Sequence, residues 1–221
     1  MYKAVIFDLD GTLLDTLEDL ANACNYALVE CGFPIHGLEK YRRFVGDGRY
    51  KLIERIIPEN SKTPEVIDKV LSLYDEYYEE HMMDMTRPYA GIIELLDGLK
   101  AKGLKLAVVS NKPHEFTTKV VKVFFENRLQ LIFGQRVNFP TKPDPGTIFE
   151  VIENFKITPE ECIYVGDSNV DIMTAKNAGV KSVGVAWGFR GKEELETEGA
   201  DFIVSTVKEL GELILNGSEK K

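Results

Sequence analysis

Lys3 to Thr16 reads KAVIFDLDGTLLDT, an apolar run that ends by delivering Asp8 and Asp10 in close succession. Side chains two apart on a strand share a face. Two like charges about 4 Å apart repel by roughly 4 kcal/mol at an effective dielectric near 20. A buried strand that ends in such a pair needs something to neutralise it. Three further stretches carry polar groups: Ser110-Asn111 and Asp167, with Asp171 close behind in VGDSNVDIM, at the ends of apolar runs, and Lys142 of TKPDP in the loop after Phe139. Several carboxylates gathered at one spot call for a hard, oxygen-seeking cation, and Mg²⁺ held by a few carboxylates plus phosphate oxygens is the expected answer. One carboxylate is then free to attack phosphorus, and an aspartyl-phosphate splits one very slow hydrolysis into two easier steps. Uncatalysed phosphate-monoester hydrolysis is slow enough to need a rate enhancement of up to ~10²¹. Much of that stabilisation must be electrostatic, from the metal, one Lys, and hydroxyl and backbone N–H donors.

Elements must bring these groups together. Six apolar runs read as strands: Lys3 to Leu9, Leu104 to Ser110, Gln130 to Phe133, Cys162 to Gly166, Lys181 to Ala186 and Asp201 to Val204. Most are continuous rather than alternating, which suits a parallel sheet covered on both faces. Helical patterns fall between them, over Ile92 to Lys102, Pro113 to Glu126, Pro145 to Phe155, Val170 to Ala178 and Val207 to Leu215, with Gly103 and Gly179 at expected helix ends. This alternation predicts an α/β fold with a doubly wound parallel-sheet (Rossmann-like) core, whose ligands bind beyond the carboxyl ends of the strands. From about Asp15 to Arg87 the pattern shows helices and no convincing strand. One helical face carries Leu17, Leu20, Ala21, Cys24, Leu28 and Cys31; a longer helix opens at Thr63-Pro64. The expectation is a core of residues 1–14 and 88–221 with an inserted all-helical cap of residues 15–87. The tail NGSEKK is expected to fray.

Composition narrows the partners. Lys and Arg total 27 against 36 Asp and Glu, a net charge of −9, which disfavours nucleic acid and anionic membrane surfaces. No signal-peptide pattern and no membrane-length apolar run are visible, so a cytoplasmic location is expected. Three cysteines argue against a disulfide framework, and His36, His81 and His114 lack zinc-ligand spacing. Several groups have ordinary alternatives. Ser110-Asn111 taken alone is a helix N-cap before Pro113, Lys142 a surface lysine, and Asp171 a carboxylate favoured by a helix dipole. Arg42, Arg43, Arg49 and Lys51 read equally as a solvated face or as a carboxylate-recognition patch. Trp187 reads as packing or as rim, and no oligomeric state is specified.

The motifs DLDGTLLDT, VVSNK, TKPDP and VGDSNVDIMTAKNAG, in this order and spacing, resemble the four motifs of the haloacid dehalogenase superfamily. The resemblance implies Asp8 as nucleophile, Asp10 as general acid/base, and Ser110 and Lys142 as phosphoryl holders. It implies Mg²⁺ on Asp8, the Asp10 backbone carbonyl and Asp167, with Asp171 a ligand or a support. Within the superfamily the chain is most similar to phosphoglycolate phosphatases, by GTLLDT, FVGDGRYKLIERI and KPDP. The implied activity is hydrolysis of a small phosphorylated metabolite. Alternatives are a pyrophosphatase, a sugar phosphomutase, whose cap Arg motif is not seen, or a non-catalytic phospho-acceptor switch. A dehalogenase is disfavoured by Asp10 and the acidic metal site.

Overall fold

The continuous apolar runs assemble into one parallel sheet, seen in a computed structural model that describes residues 2–216. Its strands are β1 (Ala4–Phe7), β4 (Lys105–Pro113), β5 (Leu131–Gln135), β6 (Cys162–Gly166), β7 (Lys181–Val185) and β8 (Phe202–Val204). The short strands β2 (Leu14–Asp15) and β3 (Arg87–Pro88) form a separate pair. The main sheet has the order β5-β4-β1-β6-β7-β8, every neighbour parallel, with β1 central between β4 and β6.

Alternation inside each central strand divides its side chains between two apolar layers. Val5 and Phe7 of β1 enter one layer together with Leu106, Val108, Ile163 and Val165. Ala4 and Ile6 enter the other with Ala107, Val109, Cys162 and Tyr164. Helices α7 (Gly146–Phe155) and α8 (Asn169–Ala178) cover the second layer through Ile148, Val151, Phe155, Ala175 and Ala178. Helices α5 (Ile92–Ala101), α6 (His114–Phe125) and α10 (Val207–Asn216) cover the first. Burial on both faces explains why these strands carry unbroken Val, Ile and Ala rather than alternating polar residues. It is the expected α/β fold.

The insert consists of α1 (Leu17–Glu30), α2 (Leu38–Phe44), α3 (Arg49–Ile56) and α4 (Pro64–His81). Thr63 caps α4 by accepting from the Val66 N–H at 3.4 Å, with Pro64 opening the first turn. Helix α4 buries Ile67, Val70, Tyr74 and Tyr78, and α1 buries the expected Leu17, Leu20, Ala21, Cys24 and Leu28. Their apolar faces join the first core layer, so insert and sheet share one cluster. Asp19 of α1 is buried and accepts from the Met85 N–H at 3.0 Å, the Thr86 N–H at 2.8 Å and the Thr86 hydroxyl at 2.7 Å. That carboxylate clasps the start of the insert to its return.

Three details depart from expectation. The β2–β3 pair closes the base of the insert, with Leu14 opposite Pro88 and Asp15 opposite Arg87; two residues are too few for a readable alternation. Strand β4 continues past Ser110 to Pro113. A six-residue helix, α9 (Lys192–Thr197), precedes β8, and it is too short for a 3.6-residue period to emerge. Cys24, Cys31 and Cys162 are free thiols, with Cys24 and Cys162 buried. Residues 217–221 of the tail lie outside the described residues, while Asn216 closes α10.

Candidate active site

The carboxyl ends of β1, β4 and β6 meet at one rim. Asp8, first residue past β1, is anchored by its own N–H to the Val165 carbonyl at 2.8 Å. The chain then turns back on itself, with the Thr12, Leu13 and Leu14 N–H groups all directed at the Leu9 carbonyl. Gly11 makes the turn at φ +86°, and a Cβ there would run into the Asp167 carboxylate. Glycine is needed for both reasons. The Trp187 indole N–H donates to the Thr12 carbonyl at 3.1 Å, so Trp187 braces this turn.

Lys142 is the hub. Its buried ammonium donates to Asp8 Oδ1 at 2.8 Å, Asp171 Oδ1 at 2.7 Å and the Tyr164 hydroxyl at 3.0 Å. Its backbone is gripped at two points by Asn111, whose Oδ1 accepts from the Lys142 N–H at 2.8 Å and whose Nδ2 donates to the Lys142 carbonyl at 3.2 Å. Asn111 Nδ2 also reaches the Gly46 carbonyl of the insert at 3.1 Å.

Asp171 stands on the first turn of α8. Its Oδ2 accepts from the Asp167 and Ser168 N–H groups, each at 3.1 Å, and from the Ser168 hydroxyl at 2.7 Å. Oδ1 takes Lys142 and lies 3.1 Å from the Tyr164 hydroxyl. Asp167 differs: Oδ2 accepts from the Phe189 N–H at 2.7 Å, while among the described residues Oδ1 has only the Thr12 hydroxyl, at 3.5 Å. Asp8, Asp167 and Asp171 each place one carboxylate oxygen within 4.8 Å of the others'. Asp10 faces Lys112, whose ammonium lies 3.0 and 3.1 Å from its two oxygens. Ser110 is buried beside them, its Oγ accepting from the Lys112 N–H at 3.2 Å.

The electrostatics follow from burial. Loss of water, then the charge of Asp171, pushes the Asp8 carboxyl up to about 7, against the pull of Lys142. Burial and the neighbouring Asp171 and Asp8 raise Asp167 in the same direction. Burial alone would lower Lys142, but Asp171 and Asp8 outweigh it and hold the ammonium above its ordinary range. Four carboxylates (Asp8, Asp10, Asp167, Asp171) thus meet two buried ammonium groups (Lys112, Lys142), two positive charges short of balance. Such a centre can take a divalent cation and then an anionic substrate.

The cleft above this rim, about 580 Å³ with its mouth, is walled by Leu20, Val45, Leu52 and Tyr74 of the insert. Arg49 enters from the insert, ion-paired with Asp75, and Arg190 from the core, donating to the Val45 carbonyl at 2.8 Å. Of the four insert cations singled out in the sequence, Arg49 alone lines the cleft; Arg42 pairs with Glu39 and Lys51 with Glu54 at the surface, and Arg43 is exposed. Asn111 was singled out with Ser110 at the strand end but given no role, and Lys112, Tyr164, Gly188 and Arg190 were not assigned from sequence. Lys112 sits inside VVSNK, where a lysine just past a buried apolar run was the available signal. Gly188 had none; a Cβ there would collide with Asp167.

Residues 5–185 match the model of the family described as haloacid dehalogenase-like hydrolase. The chain belongs to that family. Among relatives of this hydrolase, phosphoglycolate phosphatase of Pseudomonas putida is 33% identical over 214 residues, covering 94% of this chain and 78% of that protein. Phosphoglycolate phosphatase of Aquifex aeolicus is 31% identical over 215 residues, 97% of each chain. A solved structure from Lactobacillus delbrueckii subsp. bulgaricus superposes with a TM-score of 0.92 at 35% identity, covering 96% of this chain and 98% of that one. The hydrolase is therefore phosphoglycolate phosphatase-like in sequence along nearly its whole length.

Proposed function

We propose that the chain is a Mg²⁺-dependent phosphomonoesterase working through an aspartyl-phosphate on Asp8, with 2-phosphoglycolate as its leading substrate. The observation that carries this reading is the Lys142 ammonium shared between Asp8 and Asp171 at the mouth of β1. It orients the Asp8 carboxyl for attack, offsets part of the burial cost of its charge, and leaves a cation beside the position of a phosphoryl oxygen.

The donor set fits Mg²⁺. All donors are hard oxygens, Asp167 Oδ1 has one long contact among the described residues, and the glycines at 11 and 188 let the Asp167 carboxylate lie against the turn after β1, where a Cβ would displace it. Asp8, Asp167 and the Asp10 backbone carbonyl would hold the ion, which supplies charge neutralisation for the phosphoryl oxygens. Asp171, both of whose oxygens are already taken, acts at one remove by fixing Lys142 and the Asp167 backbone.

Asp8 attacks phosphorus; the bond to the substrate oxygen breaks, and Asp10 gives that oxygen a proton. Asp10 then takes a proton from water, which attacks the phosphorus of the acyl-phosphate, and the bond to Asp8 breaks to release inorganic phosphate. Ser110 and Lys142 hold the phosphoryl group throughout. Residues 15–87 act as a cap over the core of residues 1–14 and 88–221, excluding water from the cleft in a cytoplasmic setting. Arg49 and Arg190 offer a second anionic group a partner, which suits the carboxylate of phosphoglycolate. Bisphosphorylated sugars and pyrophosphate also carry a second anion, so a mutase or pyrophosphatase is the competing reading.

The test is a panel of 2-phosphoglycolate, sugar phosphates, nucleotides and pyrophosphate, assayed for released phosphate with Mg²⁺ and with EDTA. Fastest release from 2-phosphoglycolate, abolished by EDTA, is expected. Isomerisation without phosphate release, or activity on pyrophosphate alone, would replace the assignment.

A further inference from the structure

Lys112 takes no part in the chemistry above, yet its ammonium is buried and all its protons are committed. It lies 3.0 and 3.1 Å from the two oxygens of Asp10 and donates to the Tyr78 hydroxyl at 2.7 Å. It also stands 4.8 Å from the centre of the Tyr78 ring. Asp10 and Lys112 belong to the core side of the cleft, whereas Tyr78 belongs to α4 of the insert. Tyr78 is itself fixed, stacked on Tyr74 at 5.3 Å and set edge-on to Phe116 at 5.6 Å. The insert is thus hydrogen-bonded, through one lysine, to the carboxyl that handles protons.

We propose that Lys112 is a positioning residue that aims the Asp10 carboxyl for proton transfer, and that Tyr78 makes this aim depend on the insert lying over the cleft. The inference rests on the reading of Asp10 as acid/base. A carboxyl on a turn, beside a glycine, swings freely about its two side-chain torsions unless something holds it. Here the holder is a charge-assisted contact to both oxygens, the stronger class of hydrogen bond. If the insert lifts, Lys112 loses its third acceptor and turns to water, and Asp10 loses its fixed direction. Proton transfer is then competent only when the cleft is covered.

The consequence is specific to one bond. As Asp8 bonds to phosphorus, the P–O bond to the leaving group breaks with its electron pair staying on oxygen. Asp10, protonated for this step, gives its proton to that oxygen, forming an alcohol, and is left as the carboxylate whose charge the Lys112 ammonium balances. An alkoxide needs that proton, whereas p-nitrophenolate leaves without it. A misdirected Asp10 therefore penalises alkyl phosphates and spares p-nitrophenyl phosphate. A lysine that merely braced the fold, or bound the phosphoryl group, would penalise both alike. Both substrates pass through the same phosphoenzyme, so kcat/KM isolates the step that differs.

The variants are Lys112→Met, Lys112→Arg and Tyr78→Phe, assayed with Mg²⁺ on p-nitrophenyl phosphate and on 2-phosphoglycolate or the fastest alkyl phosphate of the panel. For Lys112→Met the expected loss in kcat/KM is about 100-fold on the alkyl phosphate and less than about fivefold on the aryl one. Lys112→Arg, which keeps charge and donors, should recover at least about tenfold of that loss. Tyr78→Phe, which keeps the ring packing, should show the same selectivity at roughly tenfold. Equal losses on both substrates, or no recovery in Lys112→Arg, overturn the proposal while the wild-type activity leaves the phosphatase reading standing. A wild-type protein inactive on both substrates overturns that reading and the inference with it. Wild-type kinetics in Tyr78→Phe overturn the dependence on the insert. Should Lys112→Met fail to fold, Tyr78→Phe decides by the same two ratios.

Discussion

Asp8 is buried beside Asp171, with Lys142 as its only direct cationic partner among the described residues. That environment costs stability, because a carboxylate held out of water next to another is unfavourable unless a cation joins it. Replacing Asp8 by Asn removes the proposed nucleophile and also relieves the crowding. Asp8→Asn is expected to release no phosphate above background while its metal-free form melts no lower than the wild type. Phosphate assays paired with thermal melts check this. Retained turnover would place the nucleophile elsewhere, and a sharp loss of stability would mean that Lys142 depends on Asp8 more than on Asp171.

Among elements, the base of the insert is the informative junction. The two-residue strands β2 and β3 offer few hydrogen bonds, so the Asp19 clasp carries much of the connection between α1 and the returning chain. Hydrogen bonds to a charged group are worth about 1.5–3 kcal/mol each, and part of that is recovered from water when the carboxylate is removed. Asp19→Ala is expected to lower the unfolding free energy by about 2–4 kcal/mol, read from urea unfolding curves. A change below about 0.5 kcal/mol would show that water satisfies the Met85 and Thr86 donors equally well.

Across the whole molecule, one apolar cluster runs from the sheet into the insert. The seam is crossed at the cleft by three polar contacts: Asn111 to Gly46, Arg190 to Val45, and Lys112 to Tyr78. The acidic centre beneath gives the fold a characteristic pH response. The Asp8 carboxyl is raised to about 7 in the folded state, from an ordinary 3.8. The fold therefore holds this proton more tightly than the unfolded chain does. Stability from this group is full below about pH 4 and is lost as pH rises toward about 7. Asp167 acts in the same direction. Metal-free protein should melt at lower temperature at pH 8 than at pH 5, and Mg²⁺ should raise Tm more at pH 8, where ionised carboxylates await it. At this chain length each kcal/mol corresponds to roughly 2–4 °C. Thermal melts at both pH values, with Mg²⁺ or EDTA, provide the measurement; a shift that is absent, or equal at both, would count against metal binding at these acids.

The amino-acid sequence by itself determined the six strands of the sheet, the helices between them and the acids at the strand ends. Those features are local: continuous apolar runs mark strands buried on both faces, and polar residues at their ends mark where a parallel sheet opens. The companions of those acids are not local. Lys142 meets Asp8 across 134 positions and Lys112 meets Asp10 across 102. The β2–β3 pair, Arg190 at the mouth and Gly188 against Asp167 likewise acquire meaning only from neighbours that folding supplies. Tertiary structure alone decided that two buried lysines, one of them tied to the insert, partner the acids, because burial and charge pairing depend on which distant segments pack against each group.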